Sequence, residues 1–108
     1  MVASPTYGQE KPAVSRHVIH QRLPVMECVA LVRKILTDAH LTLKTSELNP
    51  WDNAGTDAKA YVFVTCAQLE GGVTRIVVLA ASSDPETAKS YGREVSEKIE
   101  GTQVVDFD

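Results

Sequence analysis

The sequence lacks several features that define large classes of proteins. It has no run of basic residues, and its formal net charge is −3, whereas a nucleic-acid-binding surface requires a basic stripe. No apolar run approaches the ~20 residues that would span a bilayer. The sequence therefore predicts a protein with no nucleic-acid partner and no membrane span.

Motifs that would indicate catalysis are missing as well. The sequence contains no Gly-x-Ser-x-Gly nucleophile motif, no glycine-rich phosphate loop and no closely spaced cysteine pair of the metal-binding type. No pair of acids is marked out for glycosidic chemistry. We therefore expect a protein that is not an enzyme, has no cofactor and holds no metal.

What remains is a composition typical of a globular domain. Hydrophobic residues make up 44% and charged residues 23% of the 108 residues, which suits one domain with one core. Residues 1–12 are polar and rich in turn-forming residues, so we expect a flexible head before a single domain over residues 13–108. The head has no signal-peptide pattern; a mature exported domain and a cytoplasmic protein both fit it.

Hydrophobic periodicity predicts an α+β fold. Alternating patterns predict strands over residues 14–22, 41–48, 60–68 and 73–82, whereas residues 49–59 are rich in breakers and predict a loop. Helices are expected from Pro24, with His40 in the last turn, and from Asp84, with Gly101 as the stop. Residues 104–107 could add a short strand.

The order β-α-β-β-β-α predicts a two-layer sandwich in which an antiparallel sheet carries both helices on one face. A ferredoxin-like arrangement is the alternative if residues 41–48 do not pair as a separate strand. Glu70-Gly71-Gly72 has the pattern of a hairpin loop, which would place Val64 opposite Val78 and Cys66 opposite Ile76.

The two cysteines are each predicted to face the core. Cys28 lies on the apolar stripe of the first helix, and Cys66 has the same strand parity as Val62 and Val64. This arrangement favours a disulfide between helix and sheet, which would imply an oxidising compartment. Two buried free thiols are the alternative.

The two cysteines and the run Gly55-Thr56-Asp57, followed by the strand that carries Cys66, resemble a class of small exported bacterial domains of unknown function. In that class a helix cysteine pairs with a strand cysteine, and a β-hairpin and a terminal helix follow. The resemblance covers roughly residues 14–100 in layout. It implies a periplasmic or secreted location and no activity.

The second face of the sheet offers the main functional hypothesis. Tyr61, Phe63, Val77 and Leu79 are expected to share the face away from the helices, where a solvated sheet would carry polar residues. An apolar patch of this kind favours a protein interface, most simply a homodimer. Cover by the head or by the loop around Trp51 is the alternative.

Other candidate sites are weaker. Trp51, the only tryptophan, could mark a small-ligand site, and with His17, His20 and Met26 it suggests an alternative function in copper binding. The two histidines have opposite strand parity, however, and so point to opposite faces. The turn at residues 82–84 could bind an anion, although helix capping is favoured.

Overall fold

The computed structural model describes residues 12–46 and 48–105, with side chains as far as Gly101. Within these residues the chain forms two helices, α1 (Val25–Asp38) and α2 (Pro85–Val105). The strands are β1 (Ala13–Gln21), β2 (Thr42–Thr45), β3 (Asp52–Thr56), β4 (Tyr61–Gln68) and β5 (Thr74–Ser82). The predicted flexible head lies, apart from Pro12, outside the described residues.

The five strands form one antiparallel sheet in the order β1-β5-β4-β3-β2. Strands β2 to β5 follow one another as a meander, and β1 returns to pair with β5 at the far edge. The predicted α+β fold with both helices on one face is confirmed. The ferredoxin-like alternative is wrong, because β2 pairs with β3 as a separate edge strand.

The loop predicted over residues 49–59 contains strand β3, so this part of the prediction is wrong. Asp, Asn and Gly are disfavoured in strands, but β3 is inserted between β2 and β4 and pairs with both. Asn53 is buried, and its Oδ1 accepts a hydrogen bond of 2.9 Å from Nε of Arg33 on α1. Tertiary pairing thus overrides a low local propensity.

Helix α1 packs its apolar stripe over β2, β3 and β4. Pro24 occupies the N-cap position, where its missing N–H leaves no hydrogen bond unmade. At the other end His40 lies just beyond the helix rather than in its last turn, with a φ of 65°. Its N–H donates to the Thr37 carbonyl, and the Leu41 N–H donates to the Leu36 carbonyl, which is the Schellman pattern that ends a helix.

Helix α2 packs over β1 and β5. Asp84 caps it as predicted: its Oδ2 accepts hydrogen bonds from the Thr87 N–H at 3.2 Å and the Thr87 hydroxyl at 2.7 Å. The helix runs through Gly101 to Val105, so the predicted stop at Gly101 is wrong. Residues 104 and 105 are helical, which overturns the possible strand there; residues 106 and 107 lie outside the described residues.

One hydrophobic cluster fills the space between the helices and the sheet. It joins residues of both helices to the central strands, and most of its members are almost fully buried. Its largest fully buried apolar side chains are Val32, Leu36, Val62, Val64, Ile76, Val78 and Ile99. The core and both helices therefore lie on one face of the sheet, and neither helix covers the other face.

Candidate functional site

A disulfide joins Cys28 on α1 to Cys66 on β4, with the two Cα atoms 6.3 Å apart. The predicted pairing is therefore confirmed, and the free-thiol alternative is wrong. The predicted register is confirmed too, because Cys66 pairs with Ile76 and Val64 with Val78. The two cysteines are 38 residues apart in the sequence. In the chain-entropy model, closing a loop of that length in the unfolded state raises the free energy of unfolding by about 4 kcal/mol.

The predicted interface residues lie side by side on the face of the sheet that the helices leave free. Phe63 on β4 is directly paired with Leu79 on β5. Two residues away on the same face, Val77 pairs with Thr65 on one side and with Val18 of β1 on the other. The four residues named from the sequence therefore form a continuous surface across the two central strands.

The structure extends this surface beyond those four residues. Val14 and Val18 on β1 are 61% and 41% exposed, and Tyr61 on β4 is 46% exposed. We call the whole surface the open apolar face. It comprises Val14, Val18, Tyr61, Phe63, Val77, Leu79 and Ala81, and the exposed Arg16 lies on the same face, paired with Leu79.

Polar residues lie at the margins of the open apolar face. Toward β2 a cavity of about 200 Å³ includes the small Ala54 in its wall, together with Lys44, Tyr61 and Phe63. Asp52 borders the same cavity, and its Oδ1 accepts a hydrogen bond of 2.5 Å from the Thr65 hydroxyl. The face therefore has its apolar residues on β4 and β5, with charged residues toward β2 and Arg16 between the two valines of β1, and a charged rim is usual in protein interfaces.

Trp51 lies immediately before β3, at the end of the sheet near the disulfide. Its carbonyl accepts a hydrogen bond of 3.2 Å from the Cys66 N–H, which fixes the backbone there. Its side chain is 36% exposed and lines a cavity of about 310 Å³ together with Val25, Cys66 and Ala67. A cavity of this size is at the lower end of the range that holds small ligands.

The two histidines of β1 do not lie close to Trp51. His17 pairs with Val78 on the helix side of the sheet, and His20 pairs with Arg75 on the open side, as their parity predicts. Strand β1 lies three positions from β3, or about 14 Å at the usual strand spacing. Across residues 12–46 and 48–105, no three His, Cys, Asp or Glu side chains come together as metal ligands.

A polar contact ties the tight turn after β3 to α2. The Tyr91 hydroxyl donates a 2.7 Å hydrogen bond to Oδ2 of Asp57, whose Oδ1 accepts from the Lys59 and Ala60 N–H groups. The Tyr91 hydrogen bond, followed by those backbone donors, lowers the pKa of Asp57 from its ordinary value of 3.8. The same bond raises the pKa of Tyr91 from 10.0. Since Tyr91 also packs against the hydrophobic core, the contact ties the turn to the body of the fold.

The turn at residues 82–84 is occupied by internal hydrogen bonds. The Ser82 hydroxyl donates to the Lys59 carbonyl at 2.7 Å and accepts from the Asp84 N–H at 3.2 Å. Asp84 is the helix cap described above. The favoured capping interpretation of this turn is therefore the one that the structure bears out.

No protein-family model and no curated protein matches this chain. In the described part of the chain, neither helix is both long and apolar enough to cross a membrane.

Sequence reasoning missed one part of this surface and one of its neighbours. The neighbour is the buried Ala54, which lies beside Phe63 in a strand where the surrounding breakers predicted a loop. Val14 and Val18 have the alternation of one strand face, but only the pairing of β1 with β5 shows that this face is the open one.

Proposed function

We propose that this chain is a non-enzymatic, exported binding domain whose open apolar face joins a protein surface, most simply that of a second copy. The observation that carries the proposal is the apolar surface across β1, β5 and β4, on which Val14, Val18 and Tyr61 are exposed and the residues of β5 are half-buried. A solvated sheet face alternates polar side chains with the buried ones of the other face. Contiguous apolar surface of this kind marks an interaction site.

The dimensions of the sheet suit a self-association interface. The five strands, of four to nine residues each, give the whole open side of the sheet, including its polar rim, an area of roughly 600 Å² at the usual strand spacing. Two copies joined through it would bury about 1,200 Å² in total, the lower limit of standard interfaces. The two sheets would then pack about 10 Å apart with all helices outside, as in a β-sandwich.

The buried disulfide supports an exported location. Its contribution of about 4 kcal/mol is a large fraction of the 5–15 kcal/mol stability of a typical domain. A reducing compartment would remove that contribution, because disulfides persist mainly in secreted and periplasmic proteins. Unfolded, unreduced protein purified from its natural compartment should show no reaction with a thiol reagent; two reactive thiols would contradict export.

The interface is tested by Leu79→Lys, which places a charge at the centre of the open apolar face without touching the core. Light scattering on a size-exclusion column should give a mass for the wild type that is a multiple of the 11.8 kDa chain, and the variant should halve it. Arg75→Lys, on the same face and strand but at the rim, is the control and should leave the mass unchanged. A wild-type monomer at high concentration, or an unchanged mass for Leu79→Lys, would overturn the proposal.

A second candidate function is supported by the cavity beside Trp51, which could hold a small apolar ligand. The probe is anilinonaphthalene sulfonate, titrated into the wild type, in which the proposed interface covers the open apolar face. If the cavity binds the probe, energy transfer from Trp51 to the probe should rise and then saturate as the probe concentration increases. A signal that rises linearly without saturation would rule out this function. Cu²⁺ is the second titrant for the copper alternative, and unchanged tryptophan emission would remove that alternative.

A further inference from the structure

A cavity of about 410 Å³ lies between β1 and α2, and neither function proposed above uses it. Two contacts bracket the cavity along its length. At one end Gly92 packs against Ser15 and His17, and at the other end the Gln21 side chain donates a 2.9 Å hydrogen bond to the Ile99 carbonyl. α2 and β1 therefore run in the same direction on either side of the cavity. Its volume is within the range of small-ligand sites.

The wall of the cavity contains a buried hydroxyl group that has no partner. Ser96 on α2 is 4% exposed and lines the cavity. In the part of the chain that the structure describes, its Oγ makes no hydrogen bond. Buried hydroxyl groups are normally hydrogen-bonded, because an unsatisfied one has lost its contact with water without compensation. Since Ser96 forms part of the cavity wall, a molecule held in the cavity can supply the missing partner.

Charged side chains converge on the same cavity without pairing with one another. Those that line it are Arg16 and His17 on β1, and Arg93, Glu97 and Glu100 on α2. Across the described residues, none of them takes part in an ion pair or a side-chain hydrogen bond. A few convergent polar groups that are not satisfied by the protein itself are typical of a site that orients a polar ligand.

These charges are ordered along the cavity. Because α2 and β1 run in the same direction, Arg16 and Arg93 both lie toward the end marked by Gly92. Glu97 and Glu100 lie about 6 and 10 Å farther along the helix axis than Arg93, at the usual rise per residue. The cavity therefore has a positive end and a negative end. A simple anion would meet the two glutamates and a simple cation the two arginines, so a ligand that carries both charges is the best match.

We propose that this cavity binds a short peptide of two or three residues with free termini. Each residue of an extended peptide spans about 3.5 Å, so its terminal charges are about 7–10 Å apart, which matches the separation of the two ends of the cavity. The carboxylate lies at the arginine end and the ammonium group at the glutamate end. Ser96 hydrogen-bonds the peptide backbone between them. Val18 and Ile19, which also line the cavity, suit small apolar side chains.

The peptide site does not rest on the proposed function. The open apolar face is on the side of the sheet away from the helices, whereas Arg93, Ser96 and Glu97 lie on α2. The charged side chains of α2 are exposed whether or not two copies join through the open apolar face. A wild-type monomer would therefore overturn the interface and leave the peptide site standing, and failure to bind a peptide would leave the interface standing.

The site is tested by titrating tri-alanine into the full 108-residue chain and following the amide chemical shifts by NMR. Saturating shifts are expected at residues of β1 and α2, with a dissociation constant of about 1 mM or tighter. N-acetyl-tri-alanine lacks the ammonium group and tri-alanine amide lacks the carboxylate, so each should bind about tenfold more weakly. Equal affinity for the three ligands, or no saturation by tri-alanine, would overturn the site.

Variants at each end of the cavity test the orientation of the peptide. Arg93→Gln should reduce the preference for tri-alanine over its amide from about tenfold to about threefold, while the preference over the acetylated peptide is kept. Glu97→Gln with Glu100→Gln should do the reverse. Lys44→Gln, on the opposite edge strand, is the control and should change no affinity. Variants that weaken all three ligands by the same factor would overturn the proposed orientation, because a purely structural effect does not distinguish the termini.

The role of Ser96 is tested with a matched pair of variants. Ser96→Ala should weaken tri-alanine binding about two- to tenfold, yet raise the thermal midpoint of the free protein, because it removes a buried hydroxyl without a partner. Ser15 carries the other such hydroxyl, against Gly92 and outside the cavity wall, so Ser15→Ala should leave the affinity unchanged. Unchanged binding by Ser96→Ala, or a lowered midpoint of the free protein, would overturn the assignment of Ser96 to the ligand.

Discussion

At the scale of single residues, His40 shows how a helix end can be strained by a side chain. A φ of 65° is a conformation that glycine adopts freely and that costs other residues about 1 kcal/mol. The side chain of His40 is exposed and gains little from burial in return. The C-terminal end of α1 is therefore held by its two backbone hydrogen bonds and by the side chain of Leu41, which is buried in the hydrophobic core.

We expect His40→Gly to stabilise the protein by about 0.5–1 kcal/mol, because glycine relieves the left-handed strain. The measurement is urea denaturation at a fixed protein concentration. His40→Ala is the matched control, since it removes the ring but keeps the Cβ atom. If His40→Gly is no more stable than His40→Ala, the backbone strain is not real.

The Asp57–Tyr91 contact makes stability depend on pH at both extremes. The pKa of Asp57 is lowered in the folded state, so its contribution is present above pH 3.8 and is lost as the pH falls through the lowered value. The pKa of Tyr91 is raised, so its contribution is present below pH 10.0 and is lost as the pH rises through the raised value. Between these limits the contact is fully formed.

We expect Tyr91→Phe to cost about 0.5 kcal/mol at neutral pH, a small value because the pair is exposed to solvent. Urea denaturation of the wild type and the variant at pH 3, 7 and 10.5 checks the sign. The difference between them should be largest at pH 7 and shrink toward both extremes. A difference that is constant with pH would show that the lost hydroxyl acts without Asp57.

At the scale of elements, the sequence predicts the helices and strands that have a strong hydrophobic period. It misses the strand that forms only because neighbouring strands pair with it. The alternation of β4 and β5 and the apolar stripe that carries Cys28 were sufficient to predict the hairpin register and the disulfide. β3 could not be predicted, because its stability comes from pairing with two flanking strands and from the Arg33–Asn53 hydrogen bond. The open apolar face was recognised at its centre on β4 and β5, whereas its extension to β1 depended on strand order.

Two glycines at different places in these elements should respond oppositely to alanine. A Cβ at Gly55 would lie 2.9 Å from Cβ of Leu41, so Gly55→Ala should cost about 1–3 kcal/mol through overpacking. Gly101 lies inside α2 with open space around it, so Gly101→Ala should stabilise by up to about 1 kcal/mol. Thermal denaturation followed by circular dichroism measures both. A neutral or destabilising Gly101→Ala would indicate that α2 ends before Val105.

At the scale of the whole molecule, two kinds of stabilisation can be separated by their concentration dependence. The disulfide acts within one chain, so its contribution is independent of protein concentration. The interface through the open apolar face acts between chains, so it raises the apparent stability as concentration increases. A reduced chain would depend on assembly far more than an oxidised one.

We therefore expect Cys28→Ala with Cys66→Ala to lower the free energy of unfolding by about 4 kcal/mol, through the loss of the ring between α1 and β4. The comparison uses Leu79→Lys as the background, a chain expected to be monomeric, so that the midpoint of urea denaturation does not vary with concentration. In the otherwise wild-type chain the midpoint should rise with concentration, with or without the disulfide. A midpoint that rises with concentration in the Leu79→Lys background as well would mean that a second surface of this chain associates.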